Sequence, residues 1–313
     1  MKKVNIKSVV STLIAVFTIG VAGVALNAPT VSALQSTVDL KTAAPFAILS
    51  GTPKITDSPT SVITGNVGLY PASGSGIEGI LCTQVTGIIY ARDATGNICF
   101  TVNDPLLDQA KQDLTAAHVD AAGRVPVTLT DTELGGKTLV PGVYIADSTT
   151  FQITAGAGPL ILDAQGDASA VFIFQAPASE PGLTIGDGSV VQLAGGASAC
   201  NVFWRVDSAS IGTTAVFKGT ILALNSITVN NGANIEGRLL ARNGQVTLIN
   251  DIVTVPTCTI PVVVTPIVTP TVVPKLPNTG LASNSNLIAI SASAVIATSI
   301  LVLLAIVIKK RAL

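Results

Sequence analysis

Four cysteines are the residues of this sequence with the clearest chemistry: Cys82, Cys99, Cys200 and Cys258. In a chain exported to an oxidising environment cysteines pair as disulfides, and four of them allow three pairings. We favour Cys82–Cys99, which would close a local loop, and Cys200–Cys258, which would tie the C-terminal end to the body of the protein. Zinc binding is the weaker alternative, because the sequence has no C-x-x-C pair and His118 is its one histidine.

The titratable residues do not group in the sequence as a catalytic site. His118 has no second titrating partner, and a lone histidine makes no catalytic constellation. An enzyme acting on polysaccharides needs acidic residues clustered in a cleft, whereas Asp147, Asp163 and Asp187 are scattered. Asp163 and Asp167 could be read as a metal pair, but a role in a turn is favoured. We therefore predict no catalytic residue, no metal site, no cofactor and no enzymatic activity.

A pentapeptide near the C-terminus, Leu276-Pro277-Asn278-Thr279-Gly280, precedes an apolar run from Leu287 to Ile308 and the cationic residues Lys309-Lys310-Arg311. This order resembles the sorting signal of Gram-positive surface proteins, which a sortase cuts between Thr and Gly and joins to peptidoglycan. The apolar run is long enough to span the membrane as a helix, which needs about 20 residues, and the cationic tail should stay cytoplasmic. The alternative is an ordinary C-terminal anchor helix with a chance LPNTG.

The N-terminus is typical of an exported protein. Lysines at positions 2, 3 and 7 precede an apolar stretch from Val9 to Leu26, and Val31-Ser32-Ala33 has the small-x-small form of a signal-peptidase site. We predict a signal peptide over 1–33, a folded domain over 34–255, a Pro/Thr/Val-rich wall linker over 256–275 and the sorting signal over 276–313. The expected location is the Gram-positive cell wall, with the membrane contacted only transiently through residues 287–308.

The charge of the mature segment excludes one class of partner. Six of the 17 basic residues lie in the two processed ends, which contain no acidic residue, so 11 basic residues remain against 18 acidic ones, a net charge of −7. Nucleic-acid binding needs a basic surface, so we do not expect it here.

Short β-branched runs between turn residues predict an all-β domain. These runs include residues 190–193, 202–206, 227–229 and 245–248. Lys218–Asn225 aligns with Glu236–Asn243 after a shift of 18 residues, and a further shift of 18 from Ile221-Leu222 gives Phe203-Trp204. A short fixed period with glycine at the corners predicts stacked coils of a β-solenoid, with alternate side chains facing a narrow core. Phe203 and Trp204 are then core residues rather than a sugar-stacking surface.

One segment has a helical period. Asp104 is a candidate N-cap with Pro105 at the first helical position, and Gly123 is a candidate stop. Apolar residues recur between them every three or four positions, at Leu107, Ala110, Leu114, Ala117 and Ala121. We predict a helix over about 104–122 that packs along the β body through this stripe, with His118 at the edge of the packed face.

Segments spread over nearly all of residues 39–254 resemble, in the same order, those of the DUF3494 family of bacterial and fungal ice-binding proteins. The segments are 44–51 (APFAILSG), 120–124 (DAAGR), 134–144 (LGGKTLVPGVY), 162–167 (LDAQGD), 171–175 (VFIFQ), 199–204 (ACNVFW), 217–223 (FKGTILA) and 237–244 (GRLLARNG). The resemblance implies a mainly β fold, a discontinuous right-handed β-solenoid of triangular section with one long α-helix packed alongside. The 18-residue repeat described above gives about 18 residues per coil, which agrees with such a fold. It also implies that N- and C-terminal segments meet in the stack.

Ice recognition in this family resembles adsorption by a flat, weakly polar face of small rigid side chains, to which ordered water bridges. Some relatives carry Thr-(Ala/Gly)-x-(Thr/Asn) at the corner before a strand, and Asn231-Gly232-Ala233-Asn234 is the best match here. The candidate ice-binding face comprises Ser189, Thr213, Ala215, Asn231, Ala233 and Asn234, extended by Thr60, Val62 and Thr64. The sequence lacks a regular Thr-x-Thr ladder, so a solvated corner without a ligand is the alternative for these positions.

Two functions therefore compete. The first is a wall-anchored protein that adsorbs to ice. The second is a surface adhesin or structural domain that uses the same fold without binding ice, because fold alone does not fix function. A flat face free of charge favours the first, whereas an exposed aromatic groove or a charged patch on that face favours the second.

Overall fold

The computed structural model describes residues 35–58, 60–96, 99–176 and 182–258, which are mainly β. The signal peptide (1–33), residues 259–275 of the linker, the LPNTG pentapeptide and the apolar segment 287–308 lie outside the described residues. Within the described ranges, no helix is both long and apolar enough to cross a membrane.

The described residues form one α-helix, four short 3-10 helices and 23 strands. The α-helix is α1 (Asp104–Gly123), and the 3-10 helices are Lys41–Ala43, Gly74–Gly76, Cys82–Gln84 and Ala199–Asn201. The strands are β1 (Phe46–Ser50), β2 (Ile55–Asp57), β3 (Val62–Thr64), β4 (Asn66–Leu69), β5 (Ile77–Glu78), β6 (Val85–Thr86), β7 (Ile89–Ala91), β8 (Thr101–Val102), β9 (Val127–Thr130), β10 (Thr138–Leu139), β11 (Gly142–Ala146), β12 (Phe151–Ile153), β13 (Leu160–Asp163), β14 (Phe172–Gln175), β15 (Gly182–Ile185), β16 (Val191–Ala194), β17 (Val202–Val206), β18 (Ser208–Ile211), β19 (Val216–Ala223), β20 (Ile227–Val229), β21 (Asn234–Ala241), β22 (Val246–Leu248) and β23 (Ile252–Thr254).

The strands form three sheets, and the neighbouring strands within each sheet run parallel. Sheet A has the order β8-β7-β4-β1-β21-β19-β17-β14-β11-β9, and β23, β3 and β6 continue from β21. Sheet B has the order β12-β15-β18-β20-β22-β2-β5, and sheet C has the order β10-β13-β16. Consecutive strands visit the sheets in turn, since β11 to β16 lie in A, B, C, A, B and C. The chain therefore winds around a common core.

The two ends of the domain meet inside the stack, as the family resemblance implied. Strand β1 pairs with β21, β2 with β22 and β3 with β23. The N-terminal strands thus continue sheets that the C-terminal strands began, and the folded domain requires both ends of its sequence.

The 18-residue repeat is confirmed for one pair of strands and is wrong for the next. Val216 pairs with Asn234, and this register continues along the whole of β19 and β21. Between β17 and β19 the shift is 17, because Trp204 pairs with Ile221 rather than with Leu222. Trp204 and Ile221 both face the core, and a slip of one residue would turn one of them outward. Hydrogen-bonded register, not a uniform coil length, therefore aligns the strands.

The core between the sheets is closely packed with aromatic rings. Trp204 is fully buried and stacks on Phe174 with 3.9 Å between ring centroids. Phe151 meets the Trp204 ring edge-on at 6.4 Å, and the indole N–H donates to the carbonyl of Lys218 at 3.1 Å. With its one polar atom satisfied inside the stack, Trp204 is a core residue, as predicted.

Helix α1 covers the outer side of sheet A. The predicted stripe Leu107, Ala110, Leu114, Ala117 and Ala121 is buried. It belongs to a second apolar cluster, whose sheet residues include Phe46, Leu49, Val143, Ile173, Phe203, Leu222 and Leu240. Where α1 covers it, sheet A is therefore apolar on both faces.

The start of α1 corrects a detail of the sequence analysis. Asn103, not Asp104, is the N-cap, and its side chain accepts a hydrogen bond from the backbone N–H of Leu106 at 3.1 Å. Asp104 is the first helical residue, and Gly123 is the last rather than the stop after it. Asn and Asp cap helices equally well, so composition could not decide between neighbouring positions.

Both favoured disulfides form in the structure. Cys82 and Cys99 are joined at a sequence separation of 17, and Cys200 and Cys258 at a separation of 58. The second bond ties Cys258, at the start of the linker, to the 3-10 helix before β17, as predicted.

Candidate functional site

The open face of sheet B carries a column of polar side chains in register. Its strands pair so that one outward residue of each strand lies beside that of the next. In order along the sheet these residues are Gln152, Thr184, Ser210, Thr228, Thr247, Thr56 and Glu78. We call the five consecutive residues from Thr184 to Thr56 the hydroxyl column, and each contributing strand a rung.

Strand alternation places these hydroxyl groups outside. In β20, Ile227 and Val229 are fully buried, so Thr228 between them points away from the core. Val246 and Leu248 place Thr247 in the same way on the next rung. The column is thus a consequence of core packing, because each hydroxyl is held by two buried neighbours.

The residues of the hydroxyl column are in register on neighbouring strands. Adjacent parallel strands lie about 4.8 Å apart, so its five rungs span roughly 19 Å. Thr56 Oγ1 donates to Thr247 Oγ1 at 3.2 Å, which links the N-terminal rung to the C-terminal one. The column residues are half-buried, since each rung partly covers the next. Four of the five residues are threonines, which are restricted about the first side-chain bond and so have few alternative positions.

Charged side chains lie at the ends of the column and not within it. At one end Glu78 forms an ion pair with Lys54 at 2.9 Å. Beyond the other end Gln152 is hydrogen-bonded to Glu133, whose carboxylate also accepts bonds from Thr154 and from the backbone of Gly135. Partial burial acts to raise the pKa of Glu133, but these hydrogen bonds lower it below its usual value. Five uncharged column residues therefore lie between two charged borders.

Half of the face expected from the sequence is buried. Ala215 and Ala233 are fully buried and Ser189 is 6% exposed, with its hydroxyl donating to the carbonyl of Ile153 at 3.2 Å. These three residues face the interior, because the corner turns their side chains toward the core before the next strand begins. Their assignment to a contact surface is corrected here.

The other three expected residues are accessible, and two of them lie beside sheet B. Thr213 and Asn231 each follow a sheet B strand by two residues, and the backbone N–H of Thr214 donates to the carbonyl of Asn231 at 3.0 Å. Asn234 is exposed at the start of β21. We call these three residues the corner patch. It borders the hydroxyl column on successive rungs.

The N-terminal extension continues the exposed row that begins at Asn234, not the hydroxyl column. Val62 is 56% exposed and pairs with Ile252, which is 46% exposed and pairs with Asn234. Thr60 and Thr64 are exposed beside Val62. These residues continue from the corner patch along β23 and β3, away from sheet B, so they do not extend the hydroxyl column.

The sequence did carry a signal for the column. Thr184, Thr228 and Thr247 each stand alone between two large apolar residues, in the triplets Leu-Thr-Ile, Ile-Thr-Val and Val-Thr-Leu. Such a triplet is typical of a short strand with one outward hydroxyl. The register that aligns the triplets could not be derived from their unequal spacing.

The acidic pair considered for a metal has a turn role. Asp163 accepts a hydrogen bond from the backbone N–H of Gln165 at 2.9 Å, and Asp167 accepts one from that of Ser169 at 2.8 Å. Side-chain and backbone hydrogen bonds from Ser169 lower the pKa of Asp167. Among the described residues, no group of three or more His, Cys, Asp or Glu side chains could hold a metal ion.

His118 is a buried residue of α1, and the charged side chains of Arg205, Arg242 and Asp207 lie near it. It is 6% exposed, and burial together with the charge of Arg205 lowers its pKa to about 4. It is therefore neutral at physiological pH, and it lies on the helix that packs against sheet A.

Comparisons with known proteins identify relatives of this chain. A family profile described as ice-binding-like matches residues 48–254, more than half of the sequence. An ice-binding protein of Colwellia sp. is 38% identical over 232 residues, which cover 70% of this chain and 84% of that protein. An ice-binding protein of Flavobacterium frigoris is 39% identical over 223 residues, which cover 70% of this chain and 76% of that protein.

Solved structures give the same result. The crystal structure of an ice-binding protein from an Antarctic biological consortium has a TM-score of 0.62 and 38% identity, covering 72% of this chain and 93% of that one. An ice-binding protein from an Arctic yeast has a TM-score of 0.63 and 31% identity, covering 73% of this chain and 98% of that one. The profile match and the extent of these similarities show that the chain belongs to the ice-binding-like family.

Proposed function

We propose that this protein adsorbs to ice through the hydroxyl column and the open face of sheet B around it. The observation that carries the proposal is the row of five outward residues in register, from Thr184 to Thr56, each of which presents a hydroxyl group and none of which is charged. Relatives that are named ice-binding proteins support the same ligand.

The physical argument rests on repetition and rigidity. Ice is a lattice of water molecules, so a surface matches it when its own hydrogen-bonding groups, or the water they order, recur at fixed spacing. Hydroxyl groups both donate and accept, as lattice water does. Thr228 and Thr247 are already held by buried neighbours, so adsorption orders little additional side-chain freedom. The corner patch would widen this surface at its border.

We further propose that sheets A, B and C form the faces of a right-handed solenoid of triangular section. The support is that consecutive strands visit the three sheets in turn. Connections between parallel strands are right-handed in about 98% of cases, which favours this hand. In such a solenoid sheet B is a flat outer wall, while sheet A lies beneath α1.

We place the protein on the outside of a Gram-positive cell, joined to peptidoglycan. The support is in the sequence: the signal peptide over 1–33 and the Leu276–Gly280 pentapeptide, apolar segment and cationic tail in the required order. Sortase and peptidoglycan are the partners that this arrangement implies. An ice-adsorbing surface has a use only where ice forms, which is outside the membrane.

Ice-affinity partitioning of the purified protein tests the function. We expect the wild type to enrich in a slowly growing ice phase and Thr228→Arg to remain in the liquid, because a long mobile cation at the centre of the column breaks its flatness. Thr64→Arg is the matched control, since Thr64 is exposed on β3 outside sheet B. Circular dichroism should show all three proteins equally folded, as expected for surface substitutions.

The possible outcomes separate the two functions considered. Enrichment of wild type and Thr64→Arg but not Thr228→Arg supports adsorption through sheet B. Equal enrichment of all three would place the ice-binding surface elsewhere. Failure of the wild type to enter ice would remove the ice function and leave the adhesin or structural role.

A further inference from the structure

A cleft lies at the place where the two ends of the domain meet. Its volume is about 700 Å³, within the range of sites that bind small molecules. The N-terminal segment Gln35–Leu40 forms one wall, and the Cys200–Cys258 disulfide lies on the other. We call it the terminal cleft. It is lined by neither the hydroxyl column nor the corner patch.

Arg238 is a buried cation at the terminal cleft. Its side chain lines the cleft although the residue is only 5% exposed. Its Nε donates to the carbonyl of Ala44 at 2.7 Å, and its Nη1 donates to Thr220 Oγ1 at 3.3 Å. Its Nη2 lies 4.0 Å from Cys258 Sγ, a weak acceptor. A guanidinium carries five N–H groups, so these neighbours leave donor capacity unused.

No carboxylate of the described residues forms an ion pair with Arg238. Asp39 is the acidic residue on the cleft lining, but it is exposed and accepts a hydrogen bond from the backbone N–H of Lys41 at 3.0 Å. Burial lowers the pKa of Arg238 to about 10, so the guanidinium is still charged at physiological pH. Buried charges in proteins are normally paired, which makes an unpaired arginine unusual.

The remaining lining is largely apolar. Val38 is 3% exposed, Leu40 is 6% exposed and Phe203 is 1% exposed, and each contributes to the wall of the cleft. A ligand that fits the terminal cleft needs one anionic group for the guanidinium and an apolar part for the walls. A carboxylate matches the fork of an arginine through two parallel hydrogen bonds.

We propose that the terminal cleft binds a small amphipathic carboxylate, with the carboxylate on Arg238 and the apolar part against Val38, Leu40 and Phe203. The ligand would bridge the N-terminal segment and the disulfide-bonded C-terminal end. Its binding is independent of the proposed adsorption to ice, because the two surfaces share no residue.

Isothermal titration calorimetry of the purified full chain with sodium octanoate tests the proposal, with acetate and phosphate as comparison titrants. We expect octanoate to bind in the micromolar to millimolar range and acetate and phosphate to bind at least tenfold more weakly. Arg238→Met should weaken octanoate binding at least tenfold. It removes the charge while keeping an apolar side chain in the same space.

A second variant keeps the test decisive if Arg238→Met folds poorly. Ala168 is exposed on the cleft lining, so Ala168→Trp should fill part of the cleft while leaving Arg238 and the core residues unsubstituted. Ala122→Trp is its control, because Ala122 is exposed on α1 and does not line the cleft. Loss of octanoate binding in Ala168→Trp but not in Ala122→Trp supports the site.

Three results would overturn the proposal. The first is that octanoate does not bind the wild type. The second is that it binds Ala168→Trp, or a folded Arg238→Met, as tightly as the wild type. The third is that phosphate binds as well as octanoate, which would mean that the apolar walls take no part in recognition.

Discussion

Thr56 Oγ1 donates a hydrogen bond to Thr247 Oγ1 at 3.2 Å, although the two residues are 191 positions apart in the chain. The bond joins β2, near the start of the domain, to β22, near its end. Without this pairing the hydroxyl column would stop at Thr247. The N-terminal strand therefore contributes a rung to the candidate ice-binding surface as well as stability to the stack.

The column should become longer if its charged border is replaced. Glu78 lies in register beyond Thr56 and pairs with Lys54 at 2.9 Å. The double substitution Lys54→Ser/Glu78→Thr adds a sixth hydroxyl rung, and we expect stronger enrichment in ice. An exposed ion pair contributes about 0–1 kcal/mol, so the free energy of unfolding should change little.

A matched control exists for this gain of function. Lys218 and Glu236 form a similar ion pair at 2.8 Å between β19 and β21, which do not belong to sheet B. Lys218→Ser/Glu236→Thr changes net charge and hydroxyl number in the same way, and it should leave ice enrichment unchanged. A gain of equal size in both double variants would mean that composition, not the column, controls adsorption.

The corner patch should contribute less than the column. Thr213→Arg and Asn231→Arg place a mobile cation beside sheet B rather than on it, so we expect each to reduce ice shaping by less than Thr228→Arg does. The midpoint of thermal unfolding should barely change, because Thr213 is held through backbone groups and Asn231→Arg loses only the 3.4 Å hydrogen bond that Asn250 Nδ2 donates to Asn231 Oδ1. Ice shaping by each variant can be compared by observing the habit of ice crystals grown in dilute solutions of the protein. If ice shaping were lost completely in the corner variants but not in Thr228→Arg, the corner patch would contribute more than the column.

The sequence contained the strands of the column but not their alignment. Ser210 and Thr228 are 18 positions apart, Thr184 and Ser210 are 26 apart, and Thr56 precedes its neighbour Thr247. A fixed period therefore finds the Thr213 and Asn231 corner and overlooks the column. Unequal loops between rungs do not affect the parallel hydrogen bonds that set the register, so spacing along the chain and position in the sheet are decoupled.

Other features followed directly from local chemistry. The buried stripe of α1 was readable because a helix repeats every 3.6 residues, whatever it packs against. The burial of Ala215 and Ala233 was not readable, because a corner has no period from which the direction of a side chain follows. The unpaired charge of Arg238 also depends on which distant segments surround it, and these are set by the meeting of the two chain ends.

The two disulfides should differ in their effect on stability. In the chain-entropy relation a loop of 17 residues corresponds to about 3 kcal/mol and one of 58 residues to about 4 kcal/mol. We therefore expect Cys200→Ala/Cys258→Ala to lower the free energy of unfolding more than Cys82→Ala/Cys99→Ala. Urea unfolding under non-reducing conditions measures the free energy of unfolding of each double variant. A larger loss for the shorter loop would show that factors other than chain entropy dominate.

Substitution in the pentapeptide should change the location of the protein. A sortase cuts between Thr279 and Gly280 in the proposed mechanism, so Thr279→Ala should leave the C-terminal apolar segment attached. In a sortase-containing Gram-positive host, we expect the wild type in the muramidase-released wall fraction and the variant in the detergent-extracted membrane fraction. Ser283→Ala, outside the pentapeptide, is the control. An unchanged wall fraction for Thr279→Ala would contradict sortase anchoring.

The pH dependence of stability should reveal the charge of Lys111 beneath α1. Lys111 is 8% exposed, and its Nζ donates to the carbonyl of Ala241 at 2.7 Å. Burial, aided by the nearby charge of Arg242, lowers the pKa of Lys111 from 10.5 to about 7. Between these two values the unfolded chain binds the proton that the folded protein does not. The contribution of Lys111 to stability therefore rises with pH above about 7, and it is lost as the pH falls through that value.

Urea unfolding of the wild type and Lys111→Met at about pH 7.5 and pH 9.5 isolates this contribution. One proton corresponds to at most about 1.4 kcal/mol per pH unit, so we expect the wild type to gain roughly 1–2 kcal/mol more than the variant over this interval. Lys137→Met is the control, because Lys137 is ion-paired with Asp131 on the surface at 2.6 Å, and its pH dependence should follow the wild type. If wild type and Lys111→Met changed equally with pH, the buried lysine would be charged in the folded protein throughout, and α1 would pack over a cation that the surrounding carbonyl groups fully stabilise.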